Sequence, residues 1–396
     1  MDKNIKKINI TEPAFYKDFA CIGSECPVNC CYGWNIQWEN NEVERLKAAE
    51  CSDELKNIID NAFTFEPNIN KYIIRTVNDK CPMLDENNLC RIQRELGVDY
   101  MSMTCMGYPR MYYMFHNFNG YMRTCEISCC HVIKMLCSVP NTMRLRTLQH
   151  KENLEMYAYA DKRTDLIQHP QLKYRKQLFD FFYEILSDES RSIETSVVLA
   201  SVAARNIDFS IDKGQPDRIP EIIRTLKTRL NDPAQIEKLE NARPNLSLKM
   251  NFASALIQVL NASNTYALVA DENGIPDERL CKEGVEKFND MFKDRPFAMR
   301  NIALNVFITL FMPYRDRTSS LFNNFRYFAA EISAIKFIGA VMAARVVESE
   351  AEESFYFTAA RIDRCFTHDD IKIQVIYDML DKFGIYSPAY LMGILK

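Results

Sequence analysis

The chain has 396 residues, 47% of them apolar and 26% charged, which is typical of a globular protein with a sizeable core. Its formal net charge of −4 lacks the basic excess that binds nucleic acid, so we expect no nucleic-acid partner. The most apolar stretch, 329–347, is interrupted by Glu331, Lys336 and Arg345 and predicts a buried helix, with no membrane span. The first residues lack the apolar run of a signal peptide, and we expect a cytoplasmic protein.

The first third of the chain predicts short strands and helices. Apolar residues recur at helical spacing over 42–63, which predicts one or two amphipathic helices. The segment 72–77 is rich in β-forming residues and predicts a strand. The turn signal at 117–120 predicts a hairpin between strands at 111–115 and 121–125, and a helix is predicted to begin near Cys129.

From about residue 170 the pattern is helical throughout. Apolar stripes predict helices over 178–186, 222–230, 302–311 and 325–347. The segments 140–170 and 206–218 are predicted to be connections. The predicted fold class is therefore α+β and predominantly α, with a Cys-rich metal-binding module containing short strands at 1–140 and an all-helical domain at 141–396.

The cysteines are the most informative residues of the sequence. The chain has fourteen, and twelve of them lie between Cys21 and Cys137. A reducing cytoplasm disfavours structural disulfides, so this clustering indicates metal ligation or redox chemistry. Buried thiols that only pack in a core are the alternative.

Ten of the cysteines form four groups. They are Cys21, Cys26, Cys30 and Cys31; Cys81 and Cys90; Cys105; and Cys125, Cys129 and Cys130, with His131 beside the last. Thiolates are soft ligands that select zinc, Cu(I) or iron–sulfur clusters, and a tetrahedral site or a cubane needs four. The spacings match neither paired zinc-finger templates nor the Cys-x3-Cys-x2-Cys run of radical enzymes, because Gly33 stands at its last position.

Three ordered sets of residues resemble the N-terminal part of the flagellin lysine-N-methylases. They are 11–15 with 19–27 and 30–34; 81–84 with 89–97; and 104–105 with 108–110. The set covers roughly residues 8–135 and is specific, whereas the helical remainder resembles the family in general character. One departure is Cys130 after Ser128 and Cys129, where the family pattern has Ser-Cys-Pro. The cysteine segments also resemble a wider family of small zinc- or iron-chelating domains.

The resemblance implies a protein-lysine N-methyltransferase that uses S-adenosylmethionine to methylate surface lysines of flagellin. It also implies a [4Fe–4S] cluster, with zinc as the alternative metal. The metal ligands that we then expect are Cys21, Cys26, Cys30, Cys31, Cys81, Cys90 and Cys105.

Lysine methylation needs a neutral amine, although the unperturbed lysine pKa is about 10.4. A poorly hydrated aromatic channel would favour the neutral amine and hold the sulfonium by cation–π contact. The candidate wall residues are Tyr108, Tyr112, Tyr113 and Tyr121, for which plain packing is the alternative.

The arginines near the ligand loops are Arg91, Arg94, Arg110 and Arg123, for which solvated surface positions are the alternative. Of these residues, Tyr108 and Arg110 are predicted to bind the methyl donor.

No glycine-rich nucleotide loop accompanies these residues. The 11 glycines contain no G-x-G arrangement, so the Rossmann-type fingerprint is absent. Two rival functions therefore stay open: a non-enzymatic metal-binding or redox module fused to a helical interaction domain, and an oxidoreductase whose cluster moves electrons.

Overall fold

The computed structural model describes residues 8–396 except 28, 33–34, 79, 115–119, 151–157, 161–169, 244, 261–277, 315–319 and 368–369. The chain divides into two compact units. The smaller unit holds Asp18–Met111, and the larger unit holds the described residues that precede and follow that segment, through Lys396. The predicted fold class is confirmed, because short strands occur in the N-terminal region and helices dominate the remainder. The domain boundary at residue 140 stays a prediction.

The smaller unit combines one small sheet with four short helices. Strands β2 (Ile36–Trp38), β3 (Phe63–Glu66) and β4 (Lys71–Ile74) form an antiparallel sheet in the order β2-β4-β3. The helices are α1 (Asn40–Lys47), α2 (Asp53–Ala62), α3 (Arg91–Leu96) and α4 (Met103–Gly107). The helices predicted over 42–63 and the strand predicted from residue 72 are therefore confirmed.

The larger unit contains a five-stranded sheet, to which the smaller unit contributes only the first two residues of β5. Its strands are β1 (Ile8–Pro13), β5 (Arg110–Met114), β6 (Gly120–Cys125), β7 (Leu145–His150) and β8 (Ala158–Ala160). Their order in the sheet is β7-β1-β6-β5-β8. Strand β1 pairs with β6 in parallel and with β7 in antiparallel register. The predicted hairpin strands are present as β5 and β6, and residues 117–119 of the predicted turn lie outside the described residues. The prediction of a connection over 140–170 was wrong at 145–150 and 158–160, where β7 and β8 form.

From residue 170 onward the described secondary structure of the larger unit is helical, as predicted. The helices of this unit are α5 (Cys130–Ser138), α6 (Arg175–Ser187), α7 (Ile193–Asp212), α8 (Ile219–Arg229), α9 (Pro233–Glu240), α10 (Leu246–Leu260), α11 (Glu278–Met291), α12 (Ala298–Thr309), α13 (Leu321–Ala343), α14 (Ala351–Thr367), α15 (Asp370–Lys382) and α16 (Pro388–Leu395). The connection predicted at 206–218 is shorter than expected, because α7 continues to Asp212. None of the described helices combines the length and apolar character that crossing a bilayer requires.

The long helix α13 forms the centre of this unit. Phe325 and Phe328 are fully buried, and the ring of Phe325 packs 4.7 Å from that of Phe182 on α6. The helix begins at Leu321 because Ser320 is its N-cap, with the side chain accepting from the backbone N–H of Asn323. The carboxylate of Asp208 on α7 accepts further hydrogen bonds from the first turn. Helix α13 thus starts and ends about four residues earlier than the predicted 325–347.

One buried ion pair connects α7 to α13. Glu194 and Lys336 pair with side chains that are 9% and 21% exposed. Burial acts to raise the pKa of Glu194, but the charge of Lys336 and its hydrogen bond outweigh burial, so that the pKa is lowered. The pair therefore stabilises the packing of these two helices when Glu194 is ionised.

We expect Glu194→Gln to lower the free energy of unfolding by about 3 kcal/mol, because the Lys336 ammonium then stays buried without its counter-charge. The matched control is Asp180→Asn, which removes an exposed i,i+4 pair with Lys176. That change should cost less than about 0.5 kcal/mol. Urea denaturation at neutral pH measures both values, and equal losses would contradict the assignment.

The same pair predicts an acid dependence. Since the folded pKa of Glu194 is depressed, its stabilisation is complete above the unfolded pKa of about 4.3 and is lost as the pH falls through the folded pKa. The difference in stability between wild type and Glu194→Gln should therefore shrink as the pH falls below about 4. Repeating the urea series at acid pH tests this.

Candidate functional site

Cysteines from three of the four groups meet in the core of the smaller unit. Cys81 is buried within a hydrophobic cluster, and Cys31, Cys90 and Cys105 pack against it. The buried members of that cluster are Ile36, Trp38, Val43, Leu46, Leu55, Ile59, Ile74, Cys81, Met83 and Ile92. The backbone N–H of Cys81 donates to the carbonyl of Cys31 over 2.8 Å, which joins the first group to the second.

The loop between Cys81 and Cys90 is closed by a buried carboxylate. Asp85 accepts from the backbone N–H groups of Asn87 and Leu89, each over 2.9 Å, and pairs with Arg94. The hydrogen bond from Leu89, the one from Asn87 and the charge of Arg94 hold the pKa of Asp85 below its usual value, although its burial opposes them. This turn returns the chain so that Leu84 and Cys90 form a β-bridge.

The loop that carries Cys30 and Cys31 is tied to the same turn. The side chain of Asn29 donates to the carbonyl of Asn88 over 2.8 Å, and the hydroxyl of Tyr32 donates to the side-chain oxygen of Asn88 over 2.8 Å. Asn88 has a φ of 58°, a conformation that asparagine tolerates better than most residues. These contacts join residues that are 56 to 59 positions apart, so no local sequence pattern predicts them.

Cys105 is positioned by the start of helix α4. Ser102 is fully buried and is the N-cap, with its hydroxyl accepting from the backbone N–H of Cys105 over 3.1 Å. The backbone N–H of Met103 donates to the carboxylate of Glu42 over 2.8 Å, and Glu42 also accepts from the backbone N–H of Glu39. Helix α1 therefore fixes the segment that presents Cys105.

The thiol pKa values indicate that five cysteines share one environment. A hydrogen bond with Cys30, burial, and the neighbouring Cys81 and Cys90 raise the pKa of Cys31. Burial raises the pKa of Cys81 to about 11, against the backbone amide of Met83, and Cys90 and Cys30 add to the rise.

The remaining two thiols behave in the same way. Burial raises the pKa of Cys90, against the backbone amides of Gln93 and Ile92, and Cys30 adds to the rise. Burial also raises the pKa of Cys105 to about 12, against a hydrogen bond with Ser102, and the thiols of the second group and Cys30 add to the rise. Cys31, Cys81, Cys90 and Cys105 therefore each lie within electrostatic range of Cys30.

The other cysteines have different surroundings. Cys21 is exposed and accepts from the backbone N–H of Gly23 over 3.4 Å, and Cys26 is partly buried at the end of the adjacent 3-10 turn. Cys51 packs against the same apolar core as the five. The fourth predicted group belongs to the larger unit: Cys125 lies in β6, Cys129 caps α5, and Cys130 and His131 lie in its first turn. The metal-ligand set stays a prediction.

The five neighbouring thiols have the chemistry of a soft-metal site. Within the described residues, no three His, Cys, Asp or Glu side chains have the arrangement of a formed metal group. The donor set nevertheless fits zinc or an iron–sulfur cluster, because Cys31, Cys81, Cys90 and Cys105 meet at one apolar core and Cys30 adds a fifth sulfur. Backbone amides and Ser102 near three of the sulfurs favour the thiolate form, as hydrogen bonds to ligating sulfurs do.

The two residues predicted to bind the methyl donor lie in the smaller unit, directly after Cys105. The backbone N–H of Tyr108 donates to the carbonyl of Thr104 over 3.0 Å, which ends helix α4. The guanidinium of Arg110 donates to the carbonyl of Phe19 over 3.3 Å and lies 4.9 Å from the centre of its ring. Both side chains are partly buried, and their role stays a prediction.

The larger unit has a cavity of about 440 Å³ beside α7 and α8. Phe209, Lys213, Ile222 and Arg229 are among the residues that line it. The volume is that of a small-molecule pocket. The residues that line it include no predicted site residue, so this cavity is separate from the predicted site.

Two families match this chain. The model of the FliB lysine N-methylase C-terminal domain matches residues 179–394, and that of a zinc- or iron-chelating domain of the CxxCxxCC type matches residues 20–126. Because the first match covers more than half of the chain, the protein belongs to the FliB lysine N-methylase family. The resemblance seen in the cysteine segments is confirmed, and the helical part, which resembled the family only in general character, carries the larger match. The second match supports a metal cofactor.

Individual relatives agree with this assignment. The chain is 31% identical over 144 residues to the flagellar biosynthetic protein FliU of Salmonella muenchen, a match that covers 36% of this chain and 84% of FliU. It is 30% identical over 144 residues to the lysine-N-methylase of Salmonella typhimurium, which covers 36% of this chain and 35% of that enzyme. The matched region thus spans about a third of the curated lysine-N-methylase. No solved structure matches the chain.

We expect Cys81→Ser to lower the amount of metal bound to the anaerobically purified protein by about tenfold or more, since it removes a buried thiolate from the candidate site. The matched control is Cys51→Ser, because Cys51 contacts the same core. Metal and acid-labile sulfide analysis of both variants measures the effect. Full metal content in Cys81→Ser would exclude this cysteine as a ligand.

Proposed function

We propose that this protein is a protein-lysine N-methyltransferase that transfers methyl groups from S-adenosylmethionine to lysines of flagellin. The observation that carries this proposal is the match of residues 179–394 to the FliB lysine N-methylase C-terminal domain. The names of the relatives support a flagellar substrate, since one is a flagellar biosynthetic protein and another is a lysine-N-methylase. A cytoplasmic location stays a prediction.

The transfer itself needs a neutral lysine amine. Its lone pair forms the new N–C bond to the methyl carbon while the S–C bond of the sulfonium breaks, S-adenosylhomocysteine leaves, and the methylated ammonium returns its proton to solvent. The protein must therefore hold donor and amine in line, keep water out and favour the uncharged amine. Partly buried tyrosines such as Tyr108 and Tyr112 supply apolar surface with a polar end, which suits this task.

We further propose that the metal group is a [4Fe–4S] cluster held by four of the five neighbouring thiols, with zinc as the alternative. The candidate ligands are Cys81, Cys90 and Cys105, together with Cys30 or Cys31. When bound, the group would cross-link the ligand loops and supply a Lewis-acidic metal. The chain supports it by burying the sulfurs in the hydrophobic cluster around Cys81 and by the backbone amides of Met83, Ile92 and Gln93 near them.

The match to a chelating domain over residues 20–126 favours a second candidate function. A chelating domain alone would make the protein a metal-binding or redox module, with the helices serving for interaction. This candidate requires the metal but neither S-adenosylmethionine nor a lysine substrate.

Flagellin co-expressed with this protein should gain mass in steps of one methyl group, because lysines are modified one methyl at a time. Intact-mass spectrometry of flagellin, followed by peptide mapping of the modified lysines, measures the result. Flagellin expressed alone is the baseline, and Cys51→Ser should retain the activity while Cys81→Ser loses most of it. Unmodified flagellin in the presence of folded, metal-loaded protein would reject the methyltransferase and favour the metal-binding or redox module.

A further inference from the structure

A polar network crosses one face of the five-stranded sheet. Glu12 on β1 is fully buried, and it pairs with Arg123 on β6 and with Arg146 on β7. The Nε atoms of these arginines lie 2.6 and 2.8 Å from the two carboxylate oxygens of Glu12. The strand register explains both ion pairs. Glu12 lies opposite Arg146 on β7, and because Thr11 pairs with Met122 on β6, the next residues, Glu12 and Arg123, are also neighbours.

The network continues towards β5 through two tyrosines. The guanidinium of Arg123 lies 4.4 Å from the centre of the Tyr16 ring, and the hydroxyl of Tyr16 donates to that of Tyr112 over 2.9 Å. Burial and the hydrogen bond with Tyr112 raise the pKa of Tyr16, so this hydroxyl stays protonated. Side chains from four neighbouring strands therefore form one chain of contacts.

The charges of this network do not cancel. Among the ion pairs of the described residues, one carboxylate faces two guanidinium groups, which leaves the trio of Glu12, Arg123 and Arg146 with a net charge of about +1. Glu12 and Arg123 are largely enclosed, with side chains 0% and 11% exposed, whereas that of Arg146 is 34% exposed. Arg146 is thus the member of this charged trio that a ligand from solvent can reach.

Arg146 also has unused donors. It directs Nε and Nη2 to the same oxygen of Glu12, which uses two of the five N–H groups of a guanidinium. In the described part of the chain, no acceptor is found for its other N–H groups. The buried carboxylate holds the guanidinium in a fixed orientation, and this lowers the entropy cost of binding a further acceptor.

We propose that this sheet face is a carboxylate-binding site, in which Arg146 binds the carboxylate of the amino-acid end of the methyl donor. A single carboxylate matches both the net charge of the network and the planar fork of a guanidinium. This inference rests on the proposed function, since S-adenosylmethionine carries one such group. The same chemistry is offered by an aspartate or glutamate of the protein substrate, which is the second source to be tested.

Arg110 is the rival residue for this role. Its guanidinium already contacts the carbonyl and ring of Phe19. Arg146 is held by the Glu12 carboxylate, which Arg123 also neutralises. The remaining N–H donors of Arg146 face no competing acceptor within the described residues. The two arginines can be compared directly.

The test measures binding of S-adenosylhomocysteine and of 5′-methylthioadenosine, which lacks the amino-acid end, to the metal-loaded full chain by calorimetry. Arg146→Met should weaken S-adenosylhomocysteine about tenfold to a hundredfold, as expected for a hydrogen bond to a charged group, and leave 5′-methylthioadenosine unchanged. Arg144→Met is the matched control, because Arg144 is exposed and precedes β7. Arg110→Met is measured in parallel, and the expected result is a smaller loss of S-adenosylhomocysteine affinity than in Arg146→Met.

Three results would overturn the site: unchanged affinity in Arg146→Met, equal loss of both ligands, or a selective loss of S-adenosylhomocysteine in Arg110→Met alone. If Arg146→Met fails to fold by circular dichroism, Arg146→Lys preserves the charge beside Glu12 and should still lose part of the carboxylate preference. A loss confined to an acidic peptide of the flagellar substrate would keep the site and identify the second source. If wild type binds neither nucleoside, the proposed methyl-donor chemistry fails, and the acidic peptide alone then tests Arg146.

Discussion

The packing of four thiols at one small apolar core, with a fifth close by, is the constraint on which the smaller unit depends. Sulfur anions are costly in an apolar environment, and the raised pKa values of Cys81 and Cys105 express that cost. A soft cation offsets it, because each thiolate then neutralises part of the metal charge and the metal replaces several protons. The core of this unit combines a three-stranded sheet with four short helices, so a bound metal would contribute directly to its stability.

Three acidic side chains of the larger unit are likewise compensated by partner groups. Glu12 is compensated by two arginines, Glu194 by Lys336, and Asp208 by Ser320 and the first turn of α13. Each acid joins elements that are far apart in the chain, so its removal would leave partners buried without a counter-charge or acceptor. Of these three, the Glu12 network is the one with an excess of positive charge, because one carboxylate pairs with two arginines. That excess is the reason for proposing an anion-binding site on the sheet face.

The sequence predicted what depends on local pattern and residue type. The helical periodicity over 42–63, 178–186 and 325–347 was enough to predict helices α1, α2, α6 and α13. The N-cap at Ser320 explains why α13 begins earlier than predicted. Cysteine grouping indicated a soft-metal site because few other residue types select such metals. The grouping did not show that Cys30, Cys31, Cys81, Cys90 and Cys105 meet, since loops such as that closed by Asn29 and Asn88 join distant residues. Glu12, Tyr16 and Arg146 carried no local signal at all, because Glu12 meets its arginines 111 and 134 residues further along the chain.

The order of the strands adds a link between the metal and the sheet. Strand β1 precedes the whole segment Asp18–Met111, and its parallel partner β6 follows it, so pairing them closes a loop that contains the smaller unit. If that segment were unstructured, closing it would cost about 2 kcal/mol more than closing a loop of about ten residues. A folded segment removes most of this cost, since Phe19 and Arg110, close to its two ends, are already in contact. The contact between Tyr16 and Tyr112 lies where the chain leaves and re-enters the larger unit.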